Sequence, residues 1–437
     1  MEKWQTLFAG CWKRKVMKGS EREREEERGS LFAERSRRIR ECVLERIDFS
    51  AEVSDERVLE LIDEEITLFA SEEEVLVSEM KKLRQEVFHS LRKLDILQDL
   101  VDDPSITEIM INGADSVFVE RRGAVSQLPV RFGSEERLLD VVTRIVSSCN
   151  RVVSESSPIA DARLPNGDRV NVVLAPTALN GPILTIRRFP EHPIEVKDLL
   201  GFGSMSRSVA DFLGALVQAG YNIFISGGTG SGKTTFLNAM SSFIPKEERV
   251  ITIEDNAELQ IRHIPNLVRL EARNANVEGC VPISIRDLIR TSLRMRPDRI
   301  IVGEVRGGEA VDMIQAMNTG HDGSMSTGHA NSAKDMMSRL EIMILQGAEL
   351  PVAAIRAQIA SALDIVVHLG RLRDKSRKVL EIAEVLGIQE GEIAMRTIFR
   401  FEERGECNGK ITGVWVRENE LEKKDKLALA GVRLPDG

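Results

Sequence analysis

Cysteine is scarce in this chain of 437 residues: Cys11, Cys42, Cys149, Cys280 and Cys407 are scattered, odd in number, and form no Cys-x-x-Cys pair. Neither a zinc site nor a disulfide framework is indicated, and a reducing, cytoplasmic setting is the simplest expectation. Long apolar runs are missing too. Nothing approaches the ~18–20 residues that a membrane-spanning helix needs. No apolar segment follows the early lysines, so no secretory leader is expected. Positive charge is also in short supply. With 60 Lys and Arg against 69 Asp and Glu the net charge is -9, which argues against a general nucleic-acid binder while leaving room for a local basic patch. There is no long internal repeat.

What is present describes a folded, multidomain protein. Hydrophobic residues make up 42% of the chain and charged residues 30%, and the length predicts two or three domains. In residues 1–17, Trp4, Phe8 and Trp12 recur at helical spacing beside Lys13, Arg14 and Lys15. The segment reads as an interfacial amphipathic helix touching a membrane surface, as an irregular tail, or as a helix docked on a partner subunit. Residues 18–41 alternate acidic and basic blocks, giving a solvated helix or linker that closes a first section, 1–41. Helical spacing marks 42–94, and mixed strands and helices mark a small α/β domain over 95–200. Residues 201–400 alternate apolar strands with helices, as in a parallel sheet with crossover helices, and 401–437 is set apart as a C-terminal extension. The overall class is α/β.

The chemistry concentrates in that third region. Gly227, Gly228, Thr229, Gly230, Ser231, Gly232, Lys233, Thr234 and Thr235 form G-x-x-x-x-G-K-[ST], fed by an apolar strand and followed by a helix-compatible run. Glycines let backbone N–H groups approach phosphates, Lys233 can reach the β- and γ-phosphates, and the Thr234 hydroxyl can ligate Mg²⁺. The helix N-terminus adds its dipole. The chain is therefore expected to bind ATP with Mg²⁺ and to hydrolyse it.

Two acidic strand ends and a histidine join the loop. The strand Arg299–Gly303 ends at Glu304, where a carboxylate can polarise an attacking water. An aspartate would ordinarily precede that glutamate, and Gly303 stands there instead. Glu254 and Asp255, ending the neighbouring strand, are the obvious substitute for the Mg²⁺-water shell. His329, in Ser326–Asn331, can sense or hydrogen-bond the γ-phosphate region as a neutral imidazole.

Several of these segments resemble a known family. ITIEDNAELQ, RMRPDRIIVGEVRGGEAVDMIQAMNTGHDGS and STGHANS are similar to the Asp box, Walker B region and His box of the secretion superfamily ATPases. ESSPIADARLPNGDRVNVV and GPILTIRRF resemble the N-terminal domain of one branch, the CpaF/TadA motors of tight-adherence (Flp) pilus assembly. The resemblance implies a RecA-like P-loop NTPase domain preceded by the smaller α/β domain and a helical segment, assembled as a homo-hexamer. It implies Glu304 as catalytic glutamate, Glu254 as the Asp-box carboxylate and His329 as the His-box residue. It also implies arginines of the N-terminal domain against the phosphates, for which Arg163, Arg169, Arg187 and Arg188 are the candidates. The implied partner is an inner-membrane platform protein, with the ring at the inner face of that membrane and no nucleic acid.

Two departures stand out. Gly328 occupies a position where relatives usually carry a larger apolar residue, so a looser His-box strand is expected. The tetracysteine zinc element of many type II secretion ATPases is missing. Two other roles share such a site: a type IV secretion ATPase moving protein or DNA, and an ATP-gated regulatory protein. A helicase finds no evident strand-binding groove in an acidic chain.

Overall fold

A computed structural model describes residues 31–32, 34–47, 53–121, 124–149, 151–164, 166–189, 193–273 and 281–434. The amphipathic segment 1–17 and most of the charged stretch after it lie outside these residues. The chain forms two compact units, Met1–Pro190 and Glu191–Gly437.

The first unit opens with helices α1 (34–46), α2 (Asp55–Glu72) and α3 (Val77–Arg92). The Ser54 side chain accepts from the Arg57 amide to cap α2, and Asp55 and Glu56 sit in its positively polarised first turn. Val58, Leu61, Ile62, Ile66 and Phe69 form an apolar stripe that packs with Leu83 and Val87 of α3 and with Ile39 and Val43 of α1. The helical part thus begins upstream of the expected boundary at Cys42. The charges of α1 lie mostly outside while Ile39 is buried, and Arg35 pairs with Glu79 at 2.7 Å.

A separate core lies beneath an antiparallel sheet. After α4 (Leu97–Asp102) come β1 (Ile106–Asn112), β2 (Val117–Arg121), β3 (Ala124–Gln127), α5 (Glu135–Ser148), β4 (Ile159–Arg163), β5 (Arg169–Val173) and β6 (Ile183–Arg187). The strand order is β3-β2-β1-β6-β5-β4. Alternate residues, among them Ile109, Ile111, Val170, Val172, Leu184 and Ile186, pack with Leu138, Val142 and Ile145 of α5.

The second unit carries α6 (Val196–Gly201), α7 (Arg207–Gln218), β7 (Ile223–Gly227), α8 (Lys233–Ser241), β8 (Val250–Glu254), β9 (Leu267–Glu271), α9 (Ile285–Ser292) and β10 (Arg299–Val302). It continues through α10 (Ala310–Met317), β11 (Met325–Gly328), α11 (Ala333–Gly347), α12 (Val352–Ala362) and β12 (Ile365–Arg371). The chain then runs β13 (Arg377–Gln389), β14 (Glu392–Cys407), β15 (Lys410–Arg417) and α13 (Asp425–Ala430). All these strands belong to one sheet, ordered β15-β14-β13-β12-β7-β11-β10-β8-β9.

From β12 to β9 the sheet is parallel and covered on both faces. Ile223 and Ile225 of β7 enter one core with Leu213, Phe236 and Leu237, whereas Phe224 enters the other with Ile253, Ile300 and Val302. Continuous apolar strands follow from that double burial. β7 sits centrally, between β12 and β11, so the carboxyl ends of β7, β8, β10 and β11 point to one rim. This is the RecA-like arrangement.

The residues set apart as a C-terminal extension belong to the same sheet. β13, β14 and β15 extend it by antiparallel pairing, and Leu427 of α13 packs in the core that also holds Leu213 and Tyr221. Tyr221 anchors that end, its hydroxyl donating to the Lys423 carbonyl at 2.5 Å.

Candidate functional site

The loop after β7 is shaped by two residues in the left-handed region. Gly230 has φ +71° and Gly232 φ +92°, conformations that L side chains rarely adopt. Gly232 caps α8, and Lys233 and Thr234 begin that helix, whose free N–H groups face the loop. The nine motif residues therefore run from the end of β7 into one helix N-terminus, the arrangement that suits phosphate.

Lys233 is only 7% exposed. Its Nζ donates to the Gly228 carbonyl at 3.3 Å and stands 3.2 Å from Nδ1 and 3.4 Å from Nε2 of His329. Nε2 in turn lies 2.8 Å from Glu304 Oε1, at ion-pair distance though not aligned as a hydrogen bond. Glu304 Oε2 accepts from Arg306 Nη2 at 2.8 Å, and Arg306 reaches Asp255 at 3.9 Å. One line of polar groups therefore crosses the ends of β7, β11, β10 and β8: Lys233, His329, Glu304, Arg306, Asp255. A neutral imidazole with its proton on Nε2 suits both neighbours in sign, turning an N–H towards Glu304 and a lone pair towards Lys233. Burial lowers the His329 pKa, and the Lys233 charge lowers it further. Burial also lowers that of Lys233.

Glu254 is 3% exposed. Its Oε2 accepts from the amides of Glu258 at 2.7 Å and Leu259 at 2.9 Å, while the buried Oε1 has no partner. Burial pushes its pKa up to about 7 against the opposing pull of those amides. Gly303 explains the missing aspartate: a Cβ there would lie 2.9 Å from Glu254 Cγ, so a side chain at 303 and Glu254 in this position exclude one another.

These donors fit a Mg²⁺ ion that arrives with phosphate. Among the described residues no cluster of three His, Cys, Asp or Glu side chains could hold a metal alone. The Thr234 hydroxyl and the unpartnered Glu254 Oε1 would hold the ion and its water shell, since Mg²⁺ retains several waters beside substrate phosphates. When bound, it would supply neutralisation of phosphate charge.

Gly328 does not loosen its strand. Every residue of β11 is buried, and a Cβ on Gly328 would stand 3.0 Å from both Met336 Cε and Phe224 Cε1. The missing side-chain volume is filled by Met336 and Phe224.

In the first unit, Arg163 of β4, Arg169 of β5 and Arg187 of β6 are register partners, a row of three arginines across adjacent strands. Arg163 Nε donates to the Gly167 carbonyl at 3.2 Å. Arg188 stands apart from the row. It donates to the carbonyls of Asp103 and Ile106 and lies 3.7 Å from Asp168, which ties it into its own unit.

Sequence reasoning missed Arg306, although its place two residues after Glu304 was a usable signal. It also missed Arg371 and Arg377. No motif marks them, and they come to the loop only through the pairing of β12 with β7 and β13.

A parallel sheet with this loop, and with acidic groups at the neighbouring strand ends, defines a RecA-like P-loop protein. Residues 90–414 match the family described as Type II/IV secretion system protein. A Mycobacterium tuberculosis protein provisionally named for conjugal transfer is 36% identical over 327 residues, 72% of this chain and 92% of the relative. The type IV secretion system protein VirB11 of Brucella suis is 37% identical over 303 residues, 63% of this chain and 84% of that protein. Among solved structures, that of the Brucella suis VirB11 ATPase in complex with sulphate is 33% identical. It covers 66% of this chain and 95% of its own, with a TM-score of 0.36. The chain belongs to the type II/IV secretion system protein family.

Proposed function

We propose that this protein is a motor ATPase that powers assembly of a tight-adherence (Flp) pilus. It would work as a homo-hexamer on an inner-membrane platform protein, at the inner face of that membrane. The observation that carries the reading is Glu304, placed at the end of β10 and joined through His329 to the lysine of the phosphate loop. In that reading Lys233 turns from the imidazole to the β- and γ-phosphates of ATP. Glu304 exchanges one of its two partners for a water and orients it for in-line attack on the γ-phosphorus. The bond to the β-γ bridging oxygen breaks, giving ADP and phosphate, and the proton of the attacking water passes to the carboxylate.

The arginine row is the surface of the first unit best suited to a polyphosphate. Three guanidinium groups in register on adjacent strands can engage one anion together, and arginine forks donate to phosphate in pairs. Arg163, Arg169 and Arg187 would supply that contact, whereas Arg188 would support β1 and β6.

Among the described residues no single helix is long and apolar enough to cross a membrane. Work at the membrane would therefore rest on the platform protein and on residues 1–17.

A second reading, type IV secretion of protein or DNA, is favoured by the likeness to VirB11 and to PtlH, a type IV secretion system protein of Bordetella pertussis. The genes flanking this one separate the two, pilin and platform genes supporting the first. Steady-state turnover separates both from an ATP-gated regulator. Glu304→Ala is expected to bind ATP with near-unchanged affinity and to lose turnover by 10²-fold or more, an order-of-magnitude figure for removal of an aligned catalytic group. Hydrolysis at the wild-type rate would overturn the role.

A further inference from the structure

The turn between β12 and β13 brings two arginines to the phosphate loop from a part of the chain outside every motif. Arg371 and Arg377 are register partners across these antiparallel strands, so their side chains leave the same face. Arg377 Nε donates to the Gly230 carbonyl at 2.8 Å. A Cβ on Gly232 would lie 3.3 Å from Arg377 Cδ, and one on Gly230 would lie 3.9 Å from Arg371 Nη1. Both side chains are exposed, and neither has a carboxylate at ion-pair distance among the described residues.

Two like charges opposite one another in a sheet are unfavourable unless something negative lies between or beside them. The neighbouring cation solves the same problem within the protein: Arg373 pairs with Glu403 at 2.5 Å. The turn itself is well braced. Asp374 accepts from the Ser376 amide at 3.0 Å, the Ser376 hydroxyl at 2.6 Å and the Ile411 amide at 2.8 Å. At its base, Leu369 pairs with Gly227, the first residue of the loop, and a Cβ on Gly227 would stand 2.6 Å from the Leu369 carbonyl oxygen. A rigid hairpin rooted beside the loop thus holds two guanidinium groups against it.

We infer that Arg371 is a direct contact for the polyphosphate of the bound nucleoside diphosphate or triphosphate, and that Arg377 is a positioning residue tethering the loop through Gly230. The inference rests on the nucleotide reading given above. Arg371 adds a mobile charge-assisted donor to the backbone N–H groups of the loop. Arg377 holds Gly230 in its left-handed conformation by engaging its carbonyl.

The test is fluorescence titration of the full-length protein with mant-ADP, comparing wild type with Arg371→Ala, Arg371→Lys, Arg377→Ala, Arg377→Lys and Lys233→Ala. Arg371→Ala is expected to weaken binding about tenfold, the scale of one charge-assisted phosphate contact, with partial recovery in Arg371→Lys. Its affinity should also fall less steeply with salt than that of wild type, since one ionic contact is gone. Arg377→Ala should weaken binding several-fold and Arg377→Lys, which can still donate to the carbonyl, should restore it. Wild-type affinity in Arg371→Ala and Arg377→Ala, with binding lost in Lys233→Ala, overturns the inference and leaves the nucleotide reading standing. Failure of the wild-type protein to bind mant-ADP overturns both.

Discussion

Glu254 combines an unpartnered carboxylate oxygen with a pKa pushed up to about 7, so it titrates near neutrality. The folded protein holds this proton more tightly than an unfolded chain, whose glutamate titrates near 4.5. Between those two values the native state binds more protons than the unfolded one, so this group makes stability fall as pH rises through the window. Above about 7 the penalty is complete, and below about 4.5 it is absent. Glu254→Gln removes the ionisation while keeping an oxygen for the Glu258 and Leu259 amides. Measured by denaturant unfolding without nucleotide, the variant is expected to gain up to about 3 kcal/mol over wild type at pH 8. The gain should shrink towards zero at pH 5. An equal difference at both pH values would mean that Glu254 is not the group titrating.

Strand β11 offers the corresponding test for an element. Its last residue, Gly328, leaves room that Met336 of α11 and Phe224 of β7 already fill. Gly328→Val would drive branched methyl groups into both and is expected to destabilise by about 1–3 kcal/mol, read as a lower thermal midpoint. An unchanged or raised midpoint would mean the strand has slack. Elements of this kind were legible in the sequence wherever one local pattern decided them. The strands feeding Gly227, Glu254 and Glu304 are predominantly apolar, because burial on both faces favours that composition. The loop glycines could be read for a similar reason, since positive φ admits little else. Register was not legible. That Arg163, Arg169 and Arg187 form one row, or that Arg371 faces Arg377, depends on how turns align distant strands. How far the antiparallel β13–β15 segment continues the sheet was equally hidden, because its half-exposed strands mix polar and apolar residues and lack the runs that mark the parallel ones.

At the scale of the whole molecule, each unit keeps its own apolar cores: helices and antiparallel sheet in one, the nine-stranded sheet in the other. A chain organised in this way need not melt in a single step. Differential scanning calorimetry is expected to resolve two endotherms. Saturating ADP should move the one belonging to Glu191–Gly437, since a ligand stabilises what binds it by mass action. A single endotherm obeying two-state behaviour would show that the units unfold as one. Separate melting would give the protein two heat tolerances. If the first 190 residues were the less stable, the proposed motor could be uncoupled by warming alone, with the phosphate loop still folded and nothing left to turn nucleotide binding into work.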